Sequence, residues 1–252
     1  MAGSRLKGSY GIDAPYLLAV PAAAAVAGVA QAAVSGSPWP LAGVGAVLAC
    51  AGLGLHASSR GKFVVWEELL DHLDLRGDER VLDVGCGRGA VLLLAARRLT
   101  TGRAVGVDLW RATDQSGNSE RSTRRNAEIE GFADRVELRT ADMMALPFDD
   151  ETFDVVVSNV AVHNMRGAAA RDRAVDEAVR VLRPGGRLLI ADIAGTRRYV
   201  ARLTRLGMAG VTRRGLGWRM WWSGPWLATR LVSATKPRCP AAPSGPLPGA
   251  GC

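Results

Sequence analysis

Three aspartates, Asp83, Asp108 and Asp142, each stand at or just beyond the end of a short apolar run, and the first precedes a set of alternating glycines. The segment from Val81 to Gly89, VLDVGCGRG, reads as a buried strand that ends in a turn from which a helix starts. Glycine at Gly85, Gly87 and Gly89 lets the backbone approach a ligand closely. Gly85, Gly87 and Ala90 also satisfy the dinucleotide pattern G-x-G-x-x-G/A. Asp83 points elsewhere, because a carboxylate beside the loop would oppose a pyrophosphate at the helix N-terminus. It suits an ammonium group. S-adenosylmethionine carries an α-amino group and a cationic sulfonium but no phosphate, so an acidic residue at this place is chemically sensible for it. Asp108 follows about twenty residues later, where a carboxylate can accept hydrogen bonds from both hydroxyls of a ribose. Asp108 alone would serve NAD equally well.

The elements that must position these residues alternate in type. From Arg80 onward, the apolar runs VLDVG, AVGVDL, VELR, FDVVVSNV and RLLIADI are separated by helical patterns, including AVLLLAARRL, Arg121 to Ile129 and Ala168 to Leu182. Such alternation predicts an α/β fold, a doubly wound Rossmann-like sheet of parallel strands with helices on both faces. Two further runs, Gly210 to Trp218 and Leu227 to Ala234, are expected to close the sheet as an antiparallel hairpin. A lead-in helix is expected over Phe63 to Leu75, with Trp66, Leu69, Leu70 and Leu73 sharing a face.

Ahead of this unit lie two segments, Tyr16 to Val34 and Trp39 to Ala57, without acidic or basic residues other than His56. Each is about as long as a bilayer-spanning helix requires. The link Ser35 to Pro38 is short and uncharged, so the pair reads as an apolar helical hairpin. Arg5 and Lys7 before it and Arg60 and Lys62 after it place both ends in the cytoplasm by the positive-inside tendency. A cleaved signal peptide or two Ala-rich helices packed on a soluble core are the rival readings. The expected organisation is a cytoplasmic N-terminus at 1–14, a transmembrane hairpin at 15–58, a catalytic domain at 59–236 and a disordered, Pro- and Gly-rich tail at 237–252.

Composition narrows the function. The formal charge of +8 comes mostly from scattered arginines, with no continuous basic stripe, which disfavours a nucleic-acid partner. Cys50, Cys86, Cys239 and Cys252 form no metal-binding or disulfide pattern. No metal site is expected.

Four segments in order, VLDVGCGRG, VGVDL, TADMMALPFDDETFDVVVSN and VLRPGGRLLIADI, span about Arg80 to Ile193. In this combination the chain resembles the class I S-adenosylmethionine-dependent methyltransferases, especially the branch with quinone and sterol C-methyltransferases. The resemblance implies S-adenosylmethionine as cofactor and a small-molecule acceptor. It implies that Gly85, Cys86, Gly87 and Gly89 run along the methionine part, with Asp83 near the amino group. It further implies that Asp108 holds the ribose, that Leu109 lies against the adenine and that Asp142 and Met143 lie beside it. Asn159 is then expected near the methyl, and the turn Arg183 to Gly186 is expected to be structural. The relatives lack the apolar hairpin, so their acceptors do not transfer directly.

Methyl transfer from a sulfonium is a displacement, and alignment supplies much of its catalysis. An oxygen or carbon acceptor must also lose a proton, for which His163, just beyond the fourth strand, is the candidate base. The plainer role for His163 is shaping the pocket or capping the next helix. Trp218, Trp221, Trp222 and Trp226 are four of the seven tryptophans. They are expected to line an apolar acceptor pocket, lie at a membrane interface or pack a terminal hairpin. Ser116 or Asn118 is expected to cap the helix that follows Asp114 to Ser119, or that segment covers the cofactor. The favoured function is methylation of a lipophilic acceptor at the membrane. An NAD(P)-dependent oxidoreductase, an RNA methyltransferase and a non-catalytic cofactor-binding membrane protein stand as alternatives.

Overall fold

A computed structural model describes residues 6–13 and 19–238. The expected tail therefore lies outside the described residues beyond Arg238, as do Tyr16 to Leu18 of the first apolar segment.

Strands β1 (Arg80–Val84), β2 (Arg103–Asp108), β3 (Val136–Thr140), β4 (Phe153–Asn159), β5 (Leu182–Asp192), β6 (Ala209–Gly215) and β7 (Arg230–Thr235) form one sheet in the order β3-β2-β1-β4-β5-β7-β6. The first five run parallel and β7 pairs antiparallel with β5 and β6, as the two C-terminal runs predict. Strands β1, β2 and β4 are nearly continuous apolar runs because both faces are covered. The two-residue side-chain period splits β1 between two cores. Leu82 and Val84 pack with Val107, Val156 and Tyr199 on one side; Val81 packs with Trp66, Leu92 and Val157 on the other. Helix α4 (Ala90–Ala96), which follows the glycines, is buried along its whole length.

The remaining helices of the domain are α5 (Glu120–Glu130), α6 (Ala168–Arg180) and α7 (Thr196–Arg205). Connections from β1 and β4, which are neighbours, lead to opposite ends of the sheet order, and this leaves a crevice at the C-terminal ends of the two strands. Two residues other than glycine on that edge, Trp110 (φ +56°) and Val160 (φ +52°), adopt the left-handed region. For a β-branched valine this conformation is a genuine outlier. Such strain persists only where the surroundings over-determine the backbone.

N-terminal to the sheet, α1 (Ala19–Ser35) and α2 (Trp39–His56) pack on each other, with Gly28 against Val44. Their outer faces are bare: Val34 is 90% and Trp39 81% exposed. No helix break falls at residue 58, where the expected hairpin and domain meet. Helix α2 passes through a π-turn at Ala57–Gly61 straight into α3 (Lys62–Asp71), so that Trp39–Asp71 is one helix of 33 residues. The reason is local. Nothing between His56 and Lys62 caps or breaks a helix, and Gly61 itself is helical at φ −57°. Among the described residues this is the one helix long and apolar enough to cross a membrane; α1 falls short of that length.

Residues 6–13 form a strap across the domain. Ser9 donates its amide to Asn126, Tyr10 meets Phe63 edge to face at 5.2 Å, and Ile12 donates its amide to the Ser116 hydroxyl at 2.8 Å. The C-terminal tryptophan loop braces the same region, with Trp218 stacked on His56 at 5.0 Å and the Arg219 carbonyl pressed on Gly61.

A methyl group at Gly61 would sit 1.8 Å from that carbonyl oxygen, whereas one at Gly43 on α2 would meet nothing within 4 Å. Gly61→Ala is therefore expected to cost on the order of 3 kcal/mol through overpacking against backbone, and Gly43→Ala to be neutral or slightly stabilising. Urea unfolding of the two variants, followed by tryptophan fluorescence, checks the contrast.

Candidate active site

The crevice between β1 and β4 opens into a pocket lined by Asp83, the glycine loop, Asp108 and Leu109 from the strand ends on one side, and by Met143, Asn159 and Ala161 on the other. Asp13 and Lys62, from the strap and α3, complete it together with Gln115 and Asn118.

The loop is shaped by backbone that only glycine takes readily. Gly85, Gly87 and Gly89 lie at φ +75°, +50° and +83°. A side chain at Gly85 would also strike Ala161, its Cβ only 2.3 Å away. What the loop offers a ligand is decided by its amides, and they are committed. Gly85 and Cys86 donate to the Val107 carbonyl, Gly87 to Asp108 Oδ2 at 2.8 Å, Arg88 to Gln115 Oε1 at 2.8 Å and Gly89 to the Cys86 carbonyl. A pyrophosphate cradle needs such amides turned outward. This loop holds a carboxylate and a side-chain amide in that place, which disfavours a dinucleotide.

Asp83 is 1% exposed, and neither carboxylate oxygen has a hydrogen-bond partner among the described residues. Burial pushes its carboxyl up to about 8; the nearby Leu92 backbone N–H opposes the shift and the charge of Asp108 adds to it. An unpartnered acid sealed into a pocket wall costs stability unless something in the pocket satisfies it. Asp108 is better placed: beside the Gly87 amide it accepts from the Trp110 amide at 2.6 Å and from Asn118 Nδ2 at 3.4 Å. Burial still raises its carboxyl above the ordinary aspartate range. Cys86 is buried, and its thiol is pushed up by burial and then by Asp83.

The structure brings most of the sequence-predicted residues together. Asp83, Gly85, Cys86, Gly87, Asp108, Leu109, Met143 and Asn159 all line the pocket. Gly89 sits one step behind as the N-cap of α4. Asp142 is placed differently, lining an adjoining cavity with Arg111, Met144 and Arg166, and its carboxylate accepts the Met144 amide at 2.9 Å. His163 does not line the pocket. Its Nδ1 lies 2.6 Å from Oδ1 of the fully buried Asp192, a close contact without hydrogen-bond alignment, and its amide donates to Asp192 Oδ2. Tyr199 donates to the same carboxylate. The cap of α5 is Ser119, not Ser116 or Asn118, because the hydroxyl of Ser119 accepts the Ser122 amide. The other two are engaged elsewhere, Ser116 with the strap and Asn118 at Asp108. Asp114, Gln115 and Asn118 of that segment line the pocket. None of the four C-terminal tryptophans lines it.

Sequence reasoning missed Asp13, Lys62, Trp66 and Gln115. Trp66 donates its indole N–H to Asn159 Oδ1 at 2.8 Å and so fixes the amide at the end of β4. Lys62 precedes Trp66 by four residues on the face of α3 that is otherwise apolar, and a lone charge at that register was the available signal.

Residues 82–190 match the family model described as a methyltransferase domain. A methyltransferase of Streptomyces halstedii, GfsG, is 40% identical over 127 residues, which is 50% of this chain and 42% of that protein. The ubiquinone/menaquinone biosynthesis C-methyltransferase UbiE of Roseobacter denitrificans is 35% identical over 131 residues, 52% of this chain and 49% of its own. The chain thus spans about half the length of these curated relatives. Among solved structures, geranyl diphosphate methyltransferase in complex with SAM superposes with a TM-score of 0.56 at 20% identity, over 72% of this chain and 87% of that one, a likeness of fold. The match covers the strands and the loop that build the pocket, and over residues 82–190 the chain is similar to a methyltransferase domain.

Proposed function

We propose that the protein transfers a methyl group from S-adenosylmethionine to a small lipophilic acceptor at a membrane. The observation that carries the cofactor half of this reading is the unpartnered, buried Asp83 beside a glycine loop whose amides are already committed. Asp83 takes the α-ammonium group, and Gly85, Cys86 and Gly87 run along the methionine chain. Asp108 keeps a lone pair for a ribose hydroxyl beyond those used by Gly87, Trp110 and Asn118. Leu109 and Met143 enclose the adenine, with Asp142 just outside at the adjoining cavity. Asn159, held by Trp66, borders the path to the methyl. His163, backed by Asp192, is the candidate base for an acceptor that must lose a proton.

The acceptor half is supported by the bare apolar faces of α1 and α2, by the 33-residue helix, and by Trp218 at the end of α2. Two relatives are named for quinone and geranyl diphosphate methylation, both acceptors with apolar bodies. In this reading the hairpin spans the bilayer, and both ends and the catalytic domain face the cytoplasm. Washing membranes with alkaline carbonate tests the placement: the full chain should stay in the pellet, and release into the supernatant would count against it. Activity confined to water-soluble acceptors would remove the lipophilic reading, while salt-sensitive methylation of RNA would install its nucleic-acid rival. Cofactor binding that never yields the demethylated product would leave a binding protein without turnover.

Asp83 yields a two-sided prediction. Its folded-state value is raised, so the Asp83 carboxyl of the folded chain keeps a proton that the unfolded chain releases, and the stability tied to this group falls as pH rises from about 4 to about 8. Asp83→Asn should therefore melt a few degrees higher than the parent near pH 8, with a flatter pH profile, while losing S-adenosylmethionine. Because an ammonium needs the ionised carboxylate, affinity of the parent protein should climb by about tenfold per unit between about pH 6 and 8, with one proton released on binding. Calorimetry in buffers of different ionisation enthalpy reads that proton directly. Asp108→Ala should weaken S-adenosylmethionine and S-adenosylhomocysteine alike by at least about tenfold, since it removes ribose acceptors and the Gly87 anchor. His163→Gln should lower turnover at unchanged S-adenosylhomocysteine affinity, and an equal fall in both would assign His163 to structure.

A further inference from the structure

We infer that Lys62, on the helix that continues the apolar hairpin, binds the α-carboxylate of the cofactor, and that Asp13 of the strap positions it. The inference rests on the S-adenosylmethionine reading of the pocket. It assigns the half of the cofactor's amino-acid end that the glycine loop and Asp83 leave unmatched.

The charges lining the pocket are Asp13, Lys62, Asp83, Asp108, Arg111 and Asp114. The wall is therefore predominantly acidic, which suits a ligand bearing an ammonium and a sulfonium. The same ligand carries a carboxylate on the carbon that bears the ammonium. A carboxylate withdrawn from water beside Asp83 requires a cation and hydrogen-bond donors of its own. Lys62 is 2% exposed, whereas Arg111 is an exposed side chain at the mouth. Lys62 is thus the one buried cation in the lining.

Its geometry fits the role. The Lys62 ammonium donates to Asp13 Oδ2 at 2.8 Å, its one hydrogen-bond acceptor among the described residues. An ammonium has three donors, so two remain. Asp13 in turn is held by two further donors: its carboxylate also receives the Ser58 hydroxyl at 2.8 Å and Gln115 Nε2 at 2.7 Å. It therefore fixes the head of Lys62 rather than competing freely for it. One turn along the same face, Trp66 fixes Asn159. Helix α3 thus contributes a cation and, through Trp66, a positioned amide to one pocket.

The test is a cycle between ligand and protein. S-adenosylmethionine and its decarboxylated analogue, which keeps the ammonium and sulfonium, are titrated calorimetrically into the full chain and into Lys62→Gln, which can still donate to Asp13. The parent should prefer the carboxylated ligand by about tenfold or more, and Lys62→Gln should bind the two alike, by weakening only the first. Lys62→Arg should restore part of the preference. Equal weakening of both ligands by Lys62→Gln, or an undiminished preference, would overturn the assignment. If Lys62→Gln does not fold, the parent's comparison and Lys62→Arg decide it, because a parent without preference excludes a cation on the carboxylate. Failure of both ligands to bind the parent would instead remove the cofactor reading on which the assignment rests.

Discussion

A carboxylate sealed from water without a partner is the constraint around which this fold is arranged. Asp83 occupies the position in β1 whose side chain faces the α4 side, the same side as Val81, and there it meets an apolar core instead of solvent. Keeping an acid at that position costs more than an alanine or valine would. Nothing in the sheet needs it, since its backbone pairs with β2 and β4 as any residue would. The site also holds strained backbone at Val160 and Trp110, on either side of the same crevice. Several kinds of unfavourable local structure therefore converge on one edge of an otherwise conventional sheet, the pattern expected when a ligand rather than folding sets the residues.

The glycine loop turns that edge from a generic nucleotide site into a selective one. Its spacing matches two cofactor classes, and periodicity cannot separate them. The distinction lies in where the amides go, and that depends on Asp108 and Gln115 arriving from elsewhere in the chain to take the Gly87 and Arg88 N–H groups. Fold likeness would not make the distinction either, because function resides in the site rather than the sheet.

This explains what was legible in the sequence and what was not. The strands, their order of types and the C-terminal hairpin follow from apolar runs of strand length separated by helical periods, because burial on both faces leaves a continuous signature in VLDVG and FDVVVSN. The pocket residues contributed by strand ends were legible for the same reason: each sits where a run stops. Residues delivered by long-range packing carried no such mark. Asp13 lies in a strap whose path is set by contacts with Asn126, Phe63 and Ser116, more than fifty positions away in each case but one hydrogen-bond or ring contact apart in space. The continuity of the helix across residue 58 was not legible either, because composition changes there while the backbone does not. Helical backbone ignores that change, and a π-turn absorbs the altered register between an apolar helix and an amphipathic one.

That uninterrupted helix ties the two parts of the molecule together mechanically. A flexible linker between hairpin and domain would leave the pocket free to take any orientation. Here α2 and α3 form one continuous helix through the π-turn, and the turn is clamped from outside by the Arg219 carbonyl on Gly61 and by Trp218 on His56. Lys62 and Trp66 then extend the same rigid element into the pocket wall. On the proposed membrane placement, the crevice is therefore held at a fixed height and angle to the bilayer by covalent continuity, and the exposed Trp218 and Trp226 lie on the segment that fixes it. An acceptor with an apolar body then meets the methyl by lateral approach along the surface, and the positioning that a displacement reaction demands begins with the anchor itself.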